Sequence, residues 1–254
     1  MSAGTGAIGC LVLVGGLGSR LRPAVRLVPK PMAPIAGKPF LEHLVIWLSN
    51  SGFQRVILCV GYLGEQIRDH FGGGERFGVQ IAYSFENEPL GTWGAVRQAM
   101  EQFPQPNFLV LNGDSFLQIE PQSLLNFHVR KKALATLAVV EVEDGSRFGS
   151  VELGPDSTIR EFSEKKKTAG RAFINGGVYC LSREILEWAP KSAASLEKQV
   201  FPGLIGHRLY GMETCGYFVD IGTPEEYERL VSNAENWVQT LYLAGHGGKS
   251  ADPR

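Results

Sequence analysis

Two patterns of apolar residues alternate along this chain. Residues 8–14 (Ile8-Gly9-Cys10-Leu11-Val12-Leu13-Val14), 55–60 and 108–111 are apolar without alternation, the pattern of strands buried on both faces. Between them, residues 40–48, 63–71 and 92–102 place apolar side chains at helical spacing, with Ser51-Gly52 and Gly72-Gly73-Gly74 as stops. A further strand is predicted over residues 79–85. Strand, helix and strand in this order predict a parallel sheet with helices packed on it. Ligands of such a sheet bind outside the C-terminal ends of its strands.

From about residue 121 the texture changes. A helix over residues 121–132 precedes a strand at 135–142, and Gly154-Pro155-Asp156 turns residues 149–153 and 158–162 into a hairpin. A strand over residues 172–181 follows, then helices at 183–188 and 195–205 and a strand at 217–220. The last predicted helix opens at Thr223-Pro224-Glu225-Glu226, where Thr223 caps and Pro224 occupies the first turn. The chain has no internal or hexapeptide repeat. The predicted class is α/β, a single doubly wound domain over residues 1–244 with a mostly parallel mixed sheet and helices on both faces. Residues 245–254, with His246-Gly247-Gly248-Lys249-Ser250, read as a disordered tail.

Composition narrows the classes of function. With 254 residues, 44% of them hydrophobic, the chain is long enough for a full core. A net charge of −1 and no basic run argue against a nucleic-acid surface, so any anion site must be local. Cys10, Cys59, Cys180 and Cys215 are far apart and read as buried thiols in a reducing cytoplasm, with neither a zinc site nor a disulfide framework. No basic region precedes the first apolar run and no apolar run approaches ~18 residues, so neither an export signal nor a membrane span is expected.

The chemistry concentrates where the first strand ends. In Gly15-Gly16-Leu17-Gly18-Ser19-Arg20-Leu21 the glycines allow backbone N–H groups to approach an anion, and Arg20 and Lys30, the latter in Pro29-Lys30-Pro31-Met32, add positive charge. This suggests a nucleoside triphosphate. A P-loop would need Gly-Lys-Ser/Thr, and a dinucleotide fingerprint would need a glycine where Leu21 stands. The formal match at Gly4-Thr5-Gly6-Ala7-Ile8-Gly9 precedes the strand and reads as a flexible leader. On the glycines alone, an ordinary strand-to-helix turn stays open.

Further along, Asp114 in Leu111-Asn112-Gly113-Asp114-Ser115 and Asp220 in Phe218-Val219-Asp220-Ile221-Gly222 each end an apolar strand. Either a metal ligand or a turn aspartate fits these positions. Glu164-Lys165 follows a strand and could direct an ammonium at a phosphate, while Lys166 and Lys167 read as a solvated turn. Asn175-Gly176-Gly177 is either a pocket wall or a β-bulge. Glu88-Pro89-Leu90-Gly91-Thr92 opens a helix. His43, His70, His128 and His207 have no carboxylate at readable spacing and read as structural or exposed.

Gly-Gly-x-Gly-Ser-Arg-Leu, then Pro-Lys-Pro-Met and Gly37-Lys38-Pro39, resembles the N-terminal signature of the sugar-1-phosphate nucleotidyltransferases, and the likeness continues in order to about residue 232. The resemblance implies a nucleotide-diphospho-sugar transferase, Rossmann-like fold and Mg²⁺ held by Asp114 and Asp220. It assigns catalysis to Arg20, Lys30 and Lys165. The nucleotide would meet Gly15, Gly16, Gly18, Ser19, Glu88, Gly91, Thr92, Asn112 and Gly113; the sugar would meet Glu164, Asn175, Gly176 and Gly177. Within the family, the run from Lys30 to Glu42 and Leu111-Asn112-Gly113-Asp114-Ser115-Phe116 is most similar to the guanylyltransferases of D-glycero-α-D-manno-heptose 1-phosphate. Those enzymes take GTP and a sugar 1-phosphate as partners and serve surface polysaccharides. Mannose-1-phosphate guanylyltransferase, a uridylyl- or thymidylyltransferase of another hexose phosphate, and a non-catalytic nucleotide-sugar-binding regulator are the alternatives. A homo-oligomer is compatible with each.

Overall fold

A computed structural model describes residues 8–16, 21, 28–145, 148–163 and 170–244. The leader, the tail and Gly18, Ser19, Arg20, Glu164 and Lys165 therefore lie outside the described residues, Ile8 and Gly9 of the leader motif excepted. Strand β1 (Ile8–Leu13) leads through a 3₁₀ turn (Lys30–Met32) and the small hairpin β2 (Pro34–Ile35) and β3 (Lys38–Pro39) to helix α1 (Phe40–Asn50). Then come β4 (Arg55–Val60), α2 (Gly64–Phe71), β5 (Gln80–Phe85), α3 (Gly91–Gln102), β6 (Asn107–Asn112), β7 (Ser115–Leu117) and α4 (Pro121–Lys131). The second half runs β8 (Ala135–Val142), β9 (Ser150–Leu153), β10 (Ile159–Ser163), β11 (Ala172–Ser182) and α5 (Ile185–Trp188). A π-helical turn (Leu196–Val200) continues into α6 (Phe201–Gly203), and β12 (Leu209–Thr214), β13 (Phe218–Asp220), α7 (Pro224–Ser232) and α8 (Ala234–Ala244) complete it.

The main sheet has the order β10-β9-β11-β6-β1-β4-β5, with β8 on β11 and β12 on β8. β6, β1, β4 and β5 are parallel, as the uninterrupted apolar runs predict, and β11 joins β6 antiparallel. The two faces are visible in β1 itself: Cys10 and Val12 pack into one core and Leu11 into the other. The first core takes Leu44 and Trp47 of α1 and Ile67 of α2; the second takes Trp93 and Val96 of α3. Each large apolar side chain removed from water contributes about 1.5–3 kcal/mol, so the two cores together hold the sheet between its helices.

Four features lie outside the predicted elements. β7 has only three residues, and its strand state depends on antiparallel pairing with β13. β12 is interrupted by Gly211 and becomes a strand through its parallel register on buried β8. The β2–β3 hairpin has two residues a side. α8 places Ala234, Trp237, Val238 and Leu241 at helical spacing, and Trp237 is buried and stacks on Phe40 with centroids 5.4 Å apart. Truncating such an indole costs about 3–5 kcal/mol. The predicted helix at 195–205 is corrected to a π turn running into α6: Ser195 O accepts from both Gln199 N and Val200 N, and Pro202 has no N–H to give. The start of α7 is as predicted, with Thr223 Oγ1 accepting from Glu226 N at 3.4 Å.

Candidate functional site

A cleft of about 360 Å³ opens at the C-terminal ends of β1 and β6 and the N-terminus of α3. Of the sequence candidates it gathers Gly15, Gly16, Lys30, Gly91, Thr92 and Asn112. Asp114 and Gly222 line it as well. The place follows from the topology, since parallel strands release their loops on one edge. Gly113 lies just beneath, its N–H donating to Leu13 O at 2.9 Å, which ties the end of β6 to the end of β1.

Lys30 Nζ donates to Asp114 Oδ2 on the wall of this cleft. The lysine is held by its turn, in which Ala33 N donates to Lys30 O, and the adjoining hairpin is tied to α7 by Tyr227 Oη donating to Pro34 O at 2.9 Å. Asp220 reaches the same edge through β13. Its register partner is Ser115, the neighbour of Asp114, and Ile221 N donates to Asp114 O at 3.0 Å. An Asp220 carboxylate oxygen accepts from the N–H of Gly222, which lines the cleft, while Asp220 itself is not among the lining residues. Among the described residues no group of three or more His, Cys, Asp or Glu could hold a metal. Asp220 on β13 and Asp114 in the turn before its partner strand β7 are nevertheless the donor chemistry of a hard divalent cation that keeps water and phosphate oxygens as its other ligands. The ammonium of Lys30 against Asp114 is itself a cation in contact with this carboxylate.

At the other end of the cleft the wall carries Glu86, not the sequence candidate Glu88, which is exposed. Glu86 directly follows β5; one carboxylate oxygen accepts from Leu90 N at 2.9 Å, and the other occupies space that a side chain on residue 15 would fill. Burial pushes its carboxyl above the ordinary range, with the Leu90 hydrogen bond opposing. The sequence did carry a signal for it, as the first polar residue beyond a strand on the ligand edge. A partly desolvated carboxylate suits a ligand edge that presents two adjacent N–H donors.

The candidates for the sugar side sit on β11. Asn175-Gly176-Gly177 is indeed a bulge, with the register to β8 shifting between Asn175 and Tyr179. Gly177 has φ +73°, and its N–H donates to Asn175 Oδ1 at 2.9 Å. Trp93, two residues after Gly91, turns away from the cleft into the core and donates from Nε1 to Pro190 O.

Two readings are corrected. His70 does have a carboxylate partner: its Nε2 lies 2.9 Å from Glu42 Oε2, across 28 residues that no local spacing could link. Burial pushes Glu42 up, yet hydrogen bonds from His70 and Lys38 outweigh it and hold the carboxyl below its ordinary value. Cys10, Cys59 and Cys180 are buried, but Cys215 is exposed, because its loop between β12 and β13 lies outside both cores.

An α/β sheet with a glycine-lined cleft, a lysine and paired aspartates at its ligand edge defines a nucleotide-binding enzyme that handles phosphates. The chain belongs to the nucleotidyl transferase family, whose description matches residues 10–236. It is 36% identical over 230 residues to a D-glycero-α-D-manno-heptose 1-phosphate guanylyltransferase of Aneurinibacillus thermoaerophilus, covering 90% of this chain and 99% of the relative. A mannose-1-phosphate guanylyltransferase of Mycobacterium tuberculosis is 36% identical over 250 residues, covering 96% of this chain and 70% of the relative. Among solved structures, HddC from Yersinia pseudotuberculosis complexed with GMP-PN superposes with a TM-score of 0.78 at 32% identity, covering 89% of this chain and 99% of that one. No helix among the described residues is long and apolar enough to cross a membrane.

Proposed function

We propose that this chain joins GTP to a sugar 1-phosphate, D-glycero-α-D-manno-heptose 1-phosphate first among them, giving a GDP-sugar for surface polysaccharide synthesis and releasing pyrophosphate. The relatives named above supply the sugar class. The observation that carries the choice of base is Glu86. Guanine presents N1–H and N2–H side by side, which a carboxylate accepts in bidentate fashion, whereas uracil and thymine flank their single N–H with carbonyl oxygens that a carboxylate repels.

In this reading a phosphate oxygen of the sugar phosphate attacks the α-phosphorus of GTP in line, and the bond to the β-phosphate oxygen breaks. The attacking phosphate is largely a dianion at neutral pH, its second pKa being near ~6, so no protein base is needed. Lys30 and the N–H groups of the Gly15-Gly16 loop stabilise charge on the triphosphate, Arg20 joins them by family resemblance, and the same resemblance gives Lys165 to the sugar phosphate, where it fixes the nucleophile. Asp114 and Asp220 would hold Mg²⁺, which when bound offsets phosphate charge during transfer. GTP supply places the reaction in the cytoplasm.

A panel of GTP, ATP, CTP, UTP and dTTP against the heptose, mannose and glucose 1-phosphates, read by pyrophosphate release, tests this. GTP with the heptose phosphate is expected to give the highest kcat/KM. Preference for mannose 1-phosphate would replace the sugar, and preference for UTP or dTTP would overturn the role of Glu86. Binding without turnover across the panel would make the chain a nucleotide-sugar-binding regulator.

A further inference from the structure

Behind the cleft, one carboxylate links the start of α3 to the bulge of β11. Tyr179 of β11 is fully buried, with its hydroxyl at the centre of a hydrogen-bonded cluster. The direction of each bond follows from one that has no freedom. Gly177 N–H must donate to Asn175 Oδ1, so the Asn175 amide turns its Nδ2 to Tyr179 Oη at 2.8 Å. Asn112 Nδ2, from the cleft side, donates to the same oxygen at 3.4 Å. With its lone pairs so engaged, the phenol directs its own hydrogen to Glu197 Oε1 at 3.3 Å.

Glu197 lies in the π turn, 105 residues from Thr92, and its Oε2 accepts from Thr92 Oγ1 at 2.9 Å and Ser195 Oγ at 3.0 Å. Thr92 is held from the other side, since Leu196 N donates to its Oγ1 at 2.9 Å. Trp93 N and Nε1 bond Ala194 O and Pro190 O, clamping the start of α3 onto the same segment. Glu197 does not itself line the cleft, while Thr92 and Asn112 do. Burial, with Glu197 alongside, raises the Tyr179 phenol well above its ordinary value, so the phenol keeps its proton.

We propose that Glu197 is a positioning residue of the transfer reaction: through the Thr92 and Tyr179 hydroxyls it holds the nucleotide-side wall, Thr92 and Asn112, in fixed register with the sugar-side bulge, Asn175 and Gly177. This deepens the functional reading above and rests on it. The two substrates must meet in line at one phosphorus, and sub-ångström slippage between their walls is costly there. Only an anion with two acceptor oxygens can receive the Tyr179, Thr92 and Ser195 hydroxyls together. An amide in its place would turn an NH₂ toward one of them.

The test compares wild type with Glu197→Gln, Tyr179→Phe and the double variant. Its readouts are steady-state kinetics with GTP and the sugar phosphate, calorimetric binding of GTP alone, and thermal unfolding. Each single variant is expected to lose about 10–100-fold in kcat, while the Kd for GTP alone moves less than about threefold. The double variant should lose no more than the worse single, because both break one relay. A folded Glu197→Gln with kcat and both KM values within about twofold of wild type overturns the proposal. So do losses that multiply in the double variant, or losses matched by an equal weakening of GTP binding. If Tyr179→Phe fails to fold, Ser195→Ala replaces it, removing a hydroxyl that donates to the same carboxylate from outside the cleft. A wild type without turnover on any substrate pair sinks the functional reading instead.

Discussion

Lys30 and Asp114, 84 residues apart in the chain, form an ion pair on the cleft wall in which the lysine side chain is 9% exposed and the aspartate 39%. Asp114 stays in contact with water, so loss of its partner leaves no stranded buried charge, and a part-exposed pair is worth about 1 kcal/mol or less. Lys30→Met should therefore lower the melting temperature by no more than about 4 °C. If Lys30 also neutralises the triphosphate, kcat/KM should fall by about 100-fold or more. The same variant should bind Mn²⁺ more tightly in the absence of nucleotide, because the ammonium no longer competes for Asp114. Unchanged turnover would remove Lys30 from the phosphate site.

Asp220→Asn keeps an oxygen to accept the Gly222 N–H, so the β13–α7 junction should fold normally by circular dichroism. The metal concentration for half-maximal rate should rise and kcat should drop sharply even at saturating Mg²⁺. Combined with Asp114→Asn, the losses should be non-additive, since either substitution disables the same ion. Full additivity would mean that the two aspartates serve separate purposes.

Glu86→Gln replaces an acceptor-only group by one that both donates and accepts, matching the single N–H and carbonyls of uracil. The ratio of kcat/KM for GTP over UTP should fall by about tenfold or more, one or two charge-assisted bonds being lost. Because burial raises the Glu86 carboxyl, KM for GTP in wild type should climb as pH falls toward the upper carboxylate range. This acid limb should vanish in the variant. A wild-type limb that persists in Glu86→Gln would belong to another group.

His128 is buried with Nδ1 2.9 Å from Thr136 Oγ1, and burial lowers its pKa from 6.5 to about 4. The unfolded chain therefore takes up the proton first as pH falls. Its stabilising contribution is complete above 6.5 and is lost progressively down to about 4, where the folded imidazole also protonates. At ~1.4 kcal/mol per unit the loss is on the order of 3 kcal/mol. In urea melts between about pH 7.5 and about pH 4, His128→Leu should show a shallower decline than wild type. Parallel declines would assign the acid sensitivity elsewhere.

Gly177 combines φ +73° with a position where a Cβ would lie 2.4 Å from Ser115 Oγ. Gly177→Ala should cost about 2–3 kcal/mol, from a left-handed backbone penalty of ~1–2 kcal/mol plus the displacement of Ser115. Equilibrium unfolding measures this directly. A cost below about 0.5 kcal/mol would show that the bulge relaxes freely.

The sequence by itself determined the layered α/β architecture, because apolar runs and helical periodicity are local and the parallel half of the sheet follows from them. It also pointed to the glycine turn, Asp114 and Asp220, since each stands at or beyond an apolar strand where a ligand edge is expected, and to Lys30 through Pro29-Lys30-Pro31-Met32. What the tertiary structure decided are relationships across long separations. The pairing of β7 with β13 sets Asp220 beside Ser115, the contact of Thr92 with Glu197 spans 105 residues, and His70 finds Glu42 across two helices. Glu86 rather than Glu88 takes the cleft wall because strand register and the turn to α3 decide which carboxylate faces inward. A difference of two residues in a loop carries no periodic signal. Trp237 completes the first core from a helix whose apolar spacing is local, but its stacking on Phe40 and its edge contact with Phe116, about 200 and about 120 residues away, are set by the tertiary structure alone.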